Sequence, residues 1–101
     1  PMIPTNIDYL STTATLEAIQ DALWRGSAAL HIEAVSDVTE TDNGSNIIIE
    51  TTQGEMALTT YEQSNGVRVT SLTTYATTPD QHELDPNGEV YQRIVEFIEA
   101  L

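Results

Sequence analysis

The sequence predicts an α+β fold of two layers, in which a four-stranded antiparallel meander has one helix before it and one after it. Three loop signals, Asn43-Gly44, Gln53-Gly54 and Asn65-Gly66, divide residues 29–78 into four segments. The segments alternate apolar and polar residues and are rich in Ile, Val, Thr and Tyr, which is typical of half-buried strands. The flanking segments repeat apolar residues at helical spacing. We expect one domain over residues 1–101, with both helices on one sheet face.

The loop signals also predict the register of the sheet. A two-residue loop of type I′ needs positive φ at both central positions, and Asn-Gly meets this need best. If each pair is the centre of such a loop, Ile49 lies opposite both Val38 and Leu58, and Met56 lies opposite Tyr75. The fourth strand is then an exposed edge that invites pairing with a second chain. The predicted inner face collects Leu30, Ile32, Ala34, Val38, Ile47, Ile49, Met56, Leu58, Val67, Val69 and Tyr75.

The first helix is predicted over residues 14–25. Residues 11–13 offer hydroxyl side chains that can accept hydrogen bonds from the free N–H groups of its first turn. Gly26 suits the left-handed conformation that ends many helices. The structure of residues 1–12, an arm with scattered apolar residues, is left open by the sequence. The apolar stripe of the helix consists of Leu16, Ile19 and Leu23.

The second helix is predicted over residues 85–100. Asp85 is a suitable N-cap, and Pro86 fits the first helical position, where no N–H is needed. Its stripe lies on one side of the helix, as expected of a helix that covers a sheet. The stripe consists of Val90, Ile94, Phe97, Ile98 and Leu101, with Tyr91 at its border.

The charge balance restricts the classes of partner. Sixteen Asp and Glu stand against three Arg and no Lys, for a formal net charge of −13. Such a surface repels nucleic acid and anionic membranes, so we expect neither as a partner. Adaptation to high salt, mimicry of a polyanion, and ordinary acidity all fit. The chain has no long apolar run, no signal-peptide pattern and no cysteine, and we expect a cytoplasmic protein without disulfides.

Few residues suggest catalytic chemistry. His31 is predicted on the outer sheet face beside Glu33, and His82 in an acidic connection. Asp37 lies opposite Glu50 in the predicted register, but an open sheet face offers no cleft in which to shift a pKa. Motifs for a nucleophile elbow, a phosphate loop, a dinucleotide turn or a zinc protease are missing. The sequence therefore predicts a protein that is not an enzyme, with no catalytic, cofactor-binding or metal-binding residues.

The outer face of the predicted sheet carries apolar residues among its acidic and threonine residues. Ile48 faces Thr59 in the predicted register, and Thr59 faces Leu72; Val35 and Tyr61 fall on the same face. An exposed apolar row of this kind can mark a protein contact. We predict an interface at Val35, Ile48, Tyr61 and Leu72, most simply that of a symmetric homodimer.

These observations indicate a small acidic interaction module that acts through its surface, adapted to salt and dimeric. They do not identify a specific function. One alternative is an acidic inhibitor, a DNA mimic or an immunity-type protein, that occupies a basic site on a partner protein. Another is a small-ligand binder or enzyme with a pocket between helices and sheet, near Trp24 and Tyr75.

Overall fold

A computed structural model of the protein describes residues 3–42, 44–76 and 84–101. These residues form an antiparallel sheet of six strands and two helices, which confirms the α+β class but makes the predicted number of four strands wrong. The bounds are β1 Ile3–Leu10, α1 Leu16–Arg25, β2 Ile32–Val35, β3 Thr39–Thr41, β4 Gly44–Thr51, β5 Gly54–Glu62, β6 Arg68–Ala76 and α2 Glu89–Glu99. The strands follow the order β1-β6-β5-β4-β2, and β3 also pairs with β4.

Strand β1 lies in the segment for which the sequence left the structure open. It pairs antiparallel with β6, so that Ile7 lies opposite Thr73 and Leu10 opposite Thr70. A bulge interrupts the pairing between Pro4 and Asn6. Strand β6, which the sequence predicted as an exposed edge, is therefore paired on both sides, and β1 forms that edge of the sheet instead.

The other edge is a strand broken in two. Both β2 and β3 pair with β4, and residues 36–38 separate them. Ser36 occupies the break: its N–H donates to the Ile48 carbonyl at 2.9 Å, and its Oγ accepts from the Ile48 N–H at 2.8 Å. Gln20 of α1 donates to the Ser36 carbonyl at 2.7 Å. Because of this break, Val35 lies opposite Ile49, and the predicted pairing of Val38 with Ile49 is wrong.

Two of the three predicted loops are displaced by an amount that preserves the faces of the strands they join. Thr51 pairs with Gly54, so residues 52–53 form the loop, and Ile49 lies opposite Met56 rather than Leu58. This shift of two residues returns each side chain to the same face. Gly44 pairs with Thr41 and so belongs to β4, while position 43 lies outside the described residues.

The third loop has a different length, and this reverses strand β6. Gln63 donates its N–H to the Val67 carbonyl at 2.8 Å, and the Gly66 N–H donates to the Gln63 carbonyl at 2.9 Å. Gly66 has φ +83°, which closes a three-residue loop of the bulged type. An odd number of loop residues shifts the register by one and exchanges the two faces of β6. Leu72 therefore lies opposite Leu58.

One hydrophobic core lies between the helices and the inner sheet face, which is the face that carries Ile47, Ile49 and Leu58. Both helices contribute to it, so the sheet and the helices form two layers. No helix among the described residues is long and apolar enough to cross a membrane. The core consists of Leu10, Leu16, Ile19, Leu23, Leu30, Ile32, Ile47, Ile49, Met56, Leu58, Leu72, Leu84, Val90, Tyr91, Ile94 and Ile98.

The ends of helix α1 differ from those predicted. Thr15 is the N-cap, and its Oγ1 accepts from the Ala18 N–H at 3.2 Å. Gly26 has φ −91° and is not left-handed. The left-handed residue is His31, with φ +59°, at the end of the turn that leads from α1 into β2. His31 therefore does not lie on a strand, because this turn occupies the positions predicted for the strand's start.

Helix α2 begins later than predicted, with Gly88 as N-cap. Asp85 caps a turn instead: its Oδ1 accepts from the Asn87 N–H and its carbonyl from the Gly88 N–H, both at 2.9 Å. Because the Asp85 side chain bonds to the backbone of this turn, it does not cap the first turn of α2. The predicted caps at Asp85 and Pro86 are therefore wrong.

Candidate functional site

The outer face of the sheet is the side opposite the two helices, toward which alternate side chains of the described strands point. Side chains alternate between faces along each strand, so the register determines its members. They are Pro4, Ile7, Tyr9, Ala34, Thr39, Thr41, Asn46, Ile48, Glu50, Glu55, Ala57, Thr59, Tyr61, Val69, Ser71, Thr73 and Tyr75.

Two rows of paired residues cross the centre of the outer face. The strand pairings bring them into line from β1 to β4, roughly perpendicular to the strands. The isoleucine row consists of Ile7, Thr73, Ala57 and Ile48. The tyrosine row consists of Tyr9, Ser71, Thr59 and Asn46.

Large side chains stand at the margins of these rows and small ones lie between them. Tyr9 is 68% exposed and Ile7 is 48% exposed, and Ile48 is partly exposed at the opposite end of its row. Ala57 and Thr73 are buried at the centre although both helices pack on the other side. The outer face therefore has small buried residues at its centre and larger, more exposed side chains toward its edges, at Ile7, Tyr9 and Ile48.

The outer face is almost uncharged. Its only charged members are Glu50 and Glu55, which are paired across β4 and β5 at one corner. With Glu33 of β2 they line a surface cavity of about 300 Å³. Like charges in directly opposed positions destabilise a sheet. The outer face thus presents mainly apolar and hydroxyl groups, and most of the acidic residues lie elsewhere.

The predicted interface residues separate into two pairs. Ile48 and Tyr61 lie on the outer face, as expected. Leu72 is 0% exposed and belongs to the core, because the three-residue loop reversed β6. Val35 lies opposite the inner-face residue Ile49 and packs against the core, because the break at Ser36 displaced its strand. Placing either of them on the outer face is therefore wrong.

Several outer-face residues were not predicted for this surface, among them Ala34, Val69, Tyr75, Ile7 and Tyr9. Val69 and Tyr75 were predicted on the inner face, and the three-residue loop before β6 moves both to the outer face. Ile7 and Tyr9 were left in an arm without assigned structure. The alternation of Ile7, Asp8 and Tyr9 is a strand signal, but it is too short to identify a partner strand.

A polar cluster on the inner side joins β1 to α2. The Tyr91 O–H donates to Asp8 Oδ2 at 2.6 Å, and Asn6 Nδ2 donates to Asp8 Oδ2 at 3.1 Å and to Tyr91 Oη at 3.3 Å. Burial, and then the hydrogen bond and charge of Asp8, raise the pKa of Tyr91 well above its usual value, while the bond from Asn6 acts in the opposite direction. The cluster is satisfied internally and fastens the last helix to the first strand.

The remaining candidates do not assemble into a catalytic centre in the described part of the chain. His31 is exposed in its turn, and His82 lies outside the described residues. No group of three His, Asp or Glu among the described residues could hold a metal ion. Trp24 is on helix α1, whereas Tyr75 is on the outer face, so these two do not line one pocket.

Comparisons of the chain with models of protein families, with curated protein sequences and with solved structures found no match.

Proposed function

We propose that the protein is a non-enzymatic interaction module that binds another protein through the outer face. The surface of the partner protein presents apolar side chains to the isoleucine and tyrosine rows, and its carboxylates lie away from Glu50 and Glu55. The observation that supports this is the near absence of charge on one sheet face of a chain with a net charge of −13. Depletion of charge with enrichment of tyrosine is characteristic of the centre of protein interfaces.

The second part of the proposal is adaptation to salt. Sixteen acidic residues against three arginines repel one another at low ionic strength, and molar KCl screens this repulsion. We expect the melting temperature to rise steadily between low salt and molar KCl. A melting temperature that does not change over this range would contradict salt adaptation and leave the outer-face proposal in place.

A pair of matched aromatic positions tests the outer face. Tyr9 on the outer face and Trp24 on helix α1 are similarly exposed, at 68% and 58%. Each is replaced, in a separate variant, by a photoreactive phenylalanine analogue, and a lysate of the cells that make the protein is irradiated in 2 M KCl, where screening weakens contacts between basic proteins and the acidic surface around position 24. We expect protein crosslinks from position 9 and few from position 24. Equal crosslinking at both positions, or none at position 9, would refute the proposal.

One surface cavity favours a second candidate, the binding of a basic partner protein. It measures about 320 Å³ and is lined by Gln20, Asp21, Trp24, Val35 and Asp37. An indole beside carboxylates suits the cationic side chain of a partner. Trp24 is the only tryptophan, so its fluorescence reports on this cavity. An arginine-rich peptide should change the emission at low salt in the wild type and less in Asp37→Asn; an unchanged emission would exclude this candidate.

A further inference from the structure

We infer that the occupant of the outer face is a second copy of this chain, packed face to face about a two-fold axis that crosses the strands between the isoleucine and tyrosine rows. The inference rests on the proposed function, since it names the partner of the same surface. It also specifies an orientation, because the positions of the few charges on the face distinguish between possible axes.

The charge distribution favours a second copy over an unrelated acidic surface. Two chains of net charge −13 repel each other wherever their carboxylates meet. The outer face is the described surface on which two copies can approach with few apposed carboxylates. The carboxylates to be accommodated stand at its margins: Glu50 and Glu55 with Glu33 at one corner, and Asp42 and Glu62 beside Tyr61. Self-association through any surface rich in carboxylates would bring many like charges together.

The dimensions of the face suit a reversible dimer. Strands β5 and β6 each have nine residues, which at ~3.4 Å per residue extend roughly 30 Å. Five strand positions at ~4.8 Å give a width of roughly 24 Å. The resulting area of roughly 700 Å² per copy approaches the ~800 Å² per partner of a standard interface. Sheets that pack face to face also form a common architecture.

The two glutamates decide the direction of the axis. An axis parallel to the strands through β5 would place Glu55 over the partner's Glu55. An axis across the strands instead exchanges the two ends of β5, so that Glu55 lies over the partner's Tyr61 and Glu50 over the end of β4 at Gly44. A tyrosine O–H can donate to a carboxylate, whereas two carboxylates repel. The axis across the strands therefore separates Glu50 and Glu55 of one copy from the same residues of the other. Asp42 and Glu62 lie beside Tyr61, so some repulsion remains that salt has to screen.

Salt dependence distinguishes this occupant from a basic partner. The Debye length falls from ~10 Å at 0.1 M salt to ~3 Å at 1 M, which weakens the repulsion between two acidic copies. Self-association should therefore strengthen as KCl rises. Binding to a basic protein would weaken over the same range, because screening then reduces an attraction.

Sedimentation equilibrium at 0.1 M and 2 M KCl tests the occupant. We expect a monomer at low salt and a dimer at 2 M KCl. Tyr9→Ser should weaken the dimer roughly tenfold or more, because a tyrosine in an interface often carries much of the binding energy. Trp24→Ser, at a similarly exposed position on the helix layer, should leave the dimer unchanged. A wild type that stays monomeric in 2 M KCl, or a Trp24→Ser variant that dissociates like Tyr9→Ser, would overturn the inference.

The orientation is tested by distances between spin labels. The chain has no cysteine, so Gln53→Cys and Gln63→Cys each provide one labelling site, at opposite ends of β5. The axis across the strands predicts a distance of roughly 30 Å between two labels at position 53, from the length of β5. It predicts a shorter distance between position 53 of one copy and position 63 of the other. The reverse order of distances would overturn this axis.

The two proposals fail separately. Crosslinks from position 9 to a different protein, with a wild type that is monomeric in 2 M KCl, would refute the second copy and retain the interaction module. No crosslink from position 9, together with a monomer at both salt concentrations, would refute both.

Discussion

The hydroxyl of Tyr91 is expected to stabilise the fold more than any other tyrosine hydroxyl in the described structure, because it ties α2 to β1. Tyr91 is fully buried and donates to Asp8 at 2.6 Å. Hydrogen bonds to charged groups contribute about 1.5–3 kcal/mol each. Asp8 is only half-buried and keeps its bond from Asn6. We therefore expect Tyr91→Phe to lower the free energy of unfolding by about 2 kcal/mol at pH 7.

The same substitution should change the response to alkaline pH. The folded state holds the proton of Tyr91 above the pH at which the unfolded chain releases it, because its pKa is raised in the fold. A tyrosine in the unfolded chain titrates near pH 10. Above that pH the unfolded state binds fewer protons than the folded state, so stability falls by up to about 1.4 kcal/mol per pH unit. Tyr91→Phe removes this contribution to the slope.

Urea unfolding at pH 7 and between pH 10 and 11 measures both effects. Tyr9→Phe is the control, because its hydroxyl lies on a side chain that is 68% exposed. A double-mutant cycle with Asp8→Ala should give a coupling energy of at least about 1 kcal/mol, as expected for residues in direct contact. Equal losses for the two tyrosine variants, or an unchanged alkaline slope in Tyr91→Phe, would show that the buried bond does not stabilise the fold.

Three further substitutions test the register and the backbone by urea unfolding. Leu72→Ala should lower the free energy of unfolding by about 2–5 kcal/mol, because Leu72 is fully buried. Val67 is 53% exposed, so Val67→Ala should change it by no more than about 0.5 kcal/mol. Similar losses in the two variants would contradict the reversal of β6. Gly44→Ala should cost about 3 kcal/mol, since its new methyl group would lie 2.1 Å from a backbone oxygen of β5, and Gly26→Ala, which meets a movable ring at 3.3 Å, should cost much less. His31→Gly should raise stability by up to about 1 kcal/mol by relieving a left-handed backbone, and a loss would show that the histidine side chain stabilises the turn.

Much of the fold could be predicted because the pattern of side chains tolerates errors in loop position. The predicted loop at 53–54 was displaced by one residue, yet Ile49 and Met56 still fall on one face. A displacement of both loop residues together changes the pairing by two positions, and the side-chain period of a strand is also two. The amphipathic stripes likewise predicted the buried residues of α1, including Ile19, without the correct cap.

The candidate site was harder to predict because it depends on single-residue differences. Asn65-Gly66 is compatible with a two-residue loop and with the end of a three-residue loop. The second possibility is realised, and it moved Leu72 inward and Tyr75 outward. The break at Ser36 likewise moved Val35 to the inner face. Hydrogen bonds from Ser36 to β4 and from α1 to Ser36 hold this break, and no local sequence pattern predicts them. Two of the four residues predicted for the outer face therefore lie elsewhere.

The sequence by itself determined the fold class, the two helical stripes and the alternation of strands β4 and β5, because these depend on neighbours in the chain. It also determined the charge of −13 and the absence of cysteine. Only the tertiary structure decided the position of β1, whose pairing joins residues sixty or more positions apart, such as Leu10 and Thr70. It also decided which side of β6 is buried, because the packing of Leu72 against the core and the closure of the loop at Gly66 have to be satisfied together. The composition of the outer face follows from those two decisions.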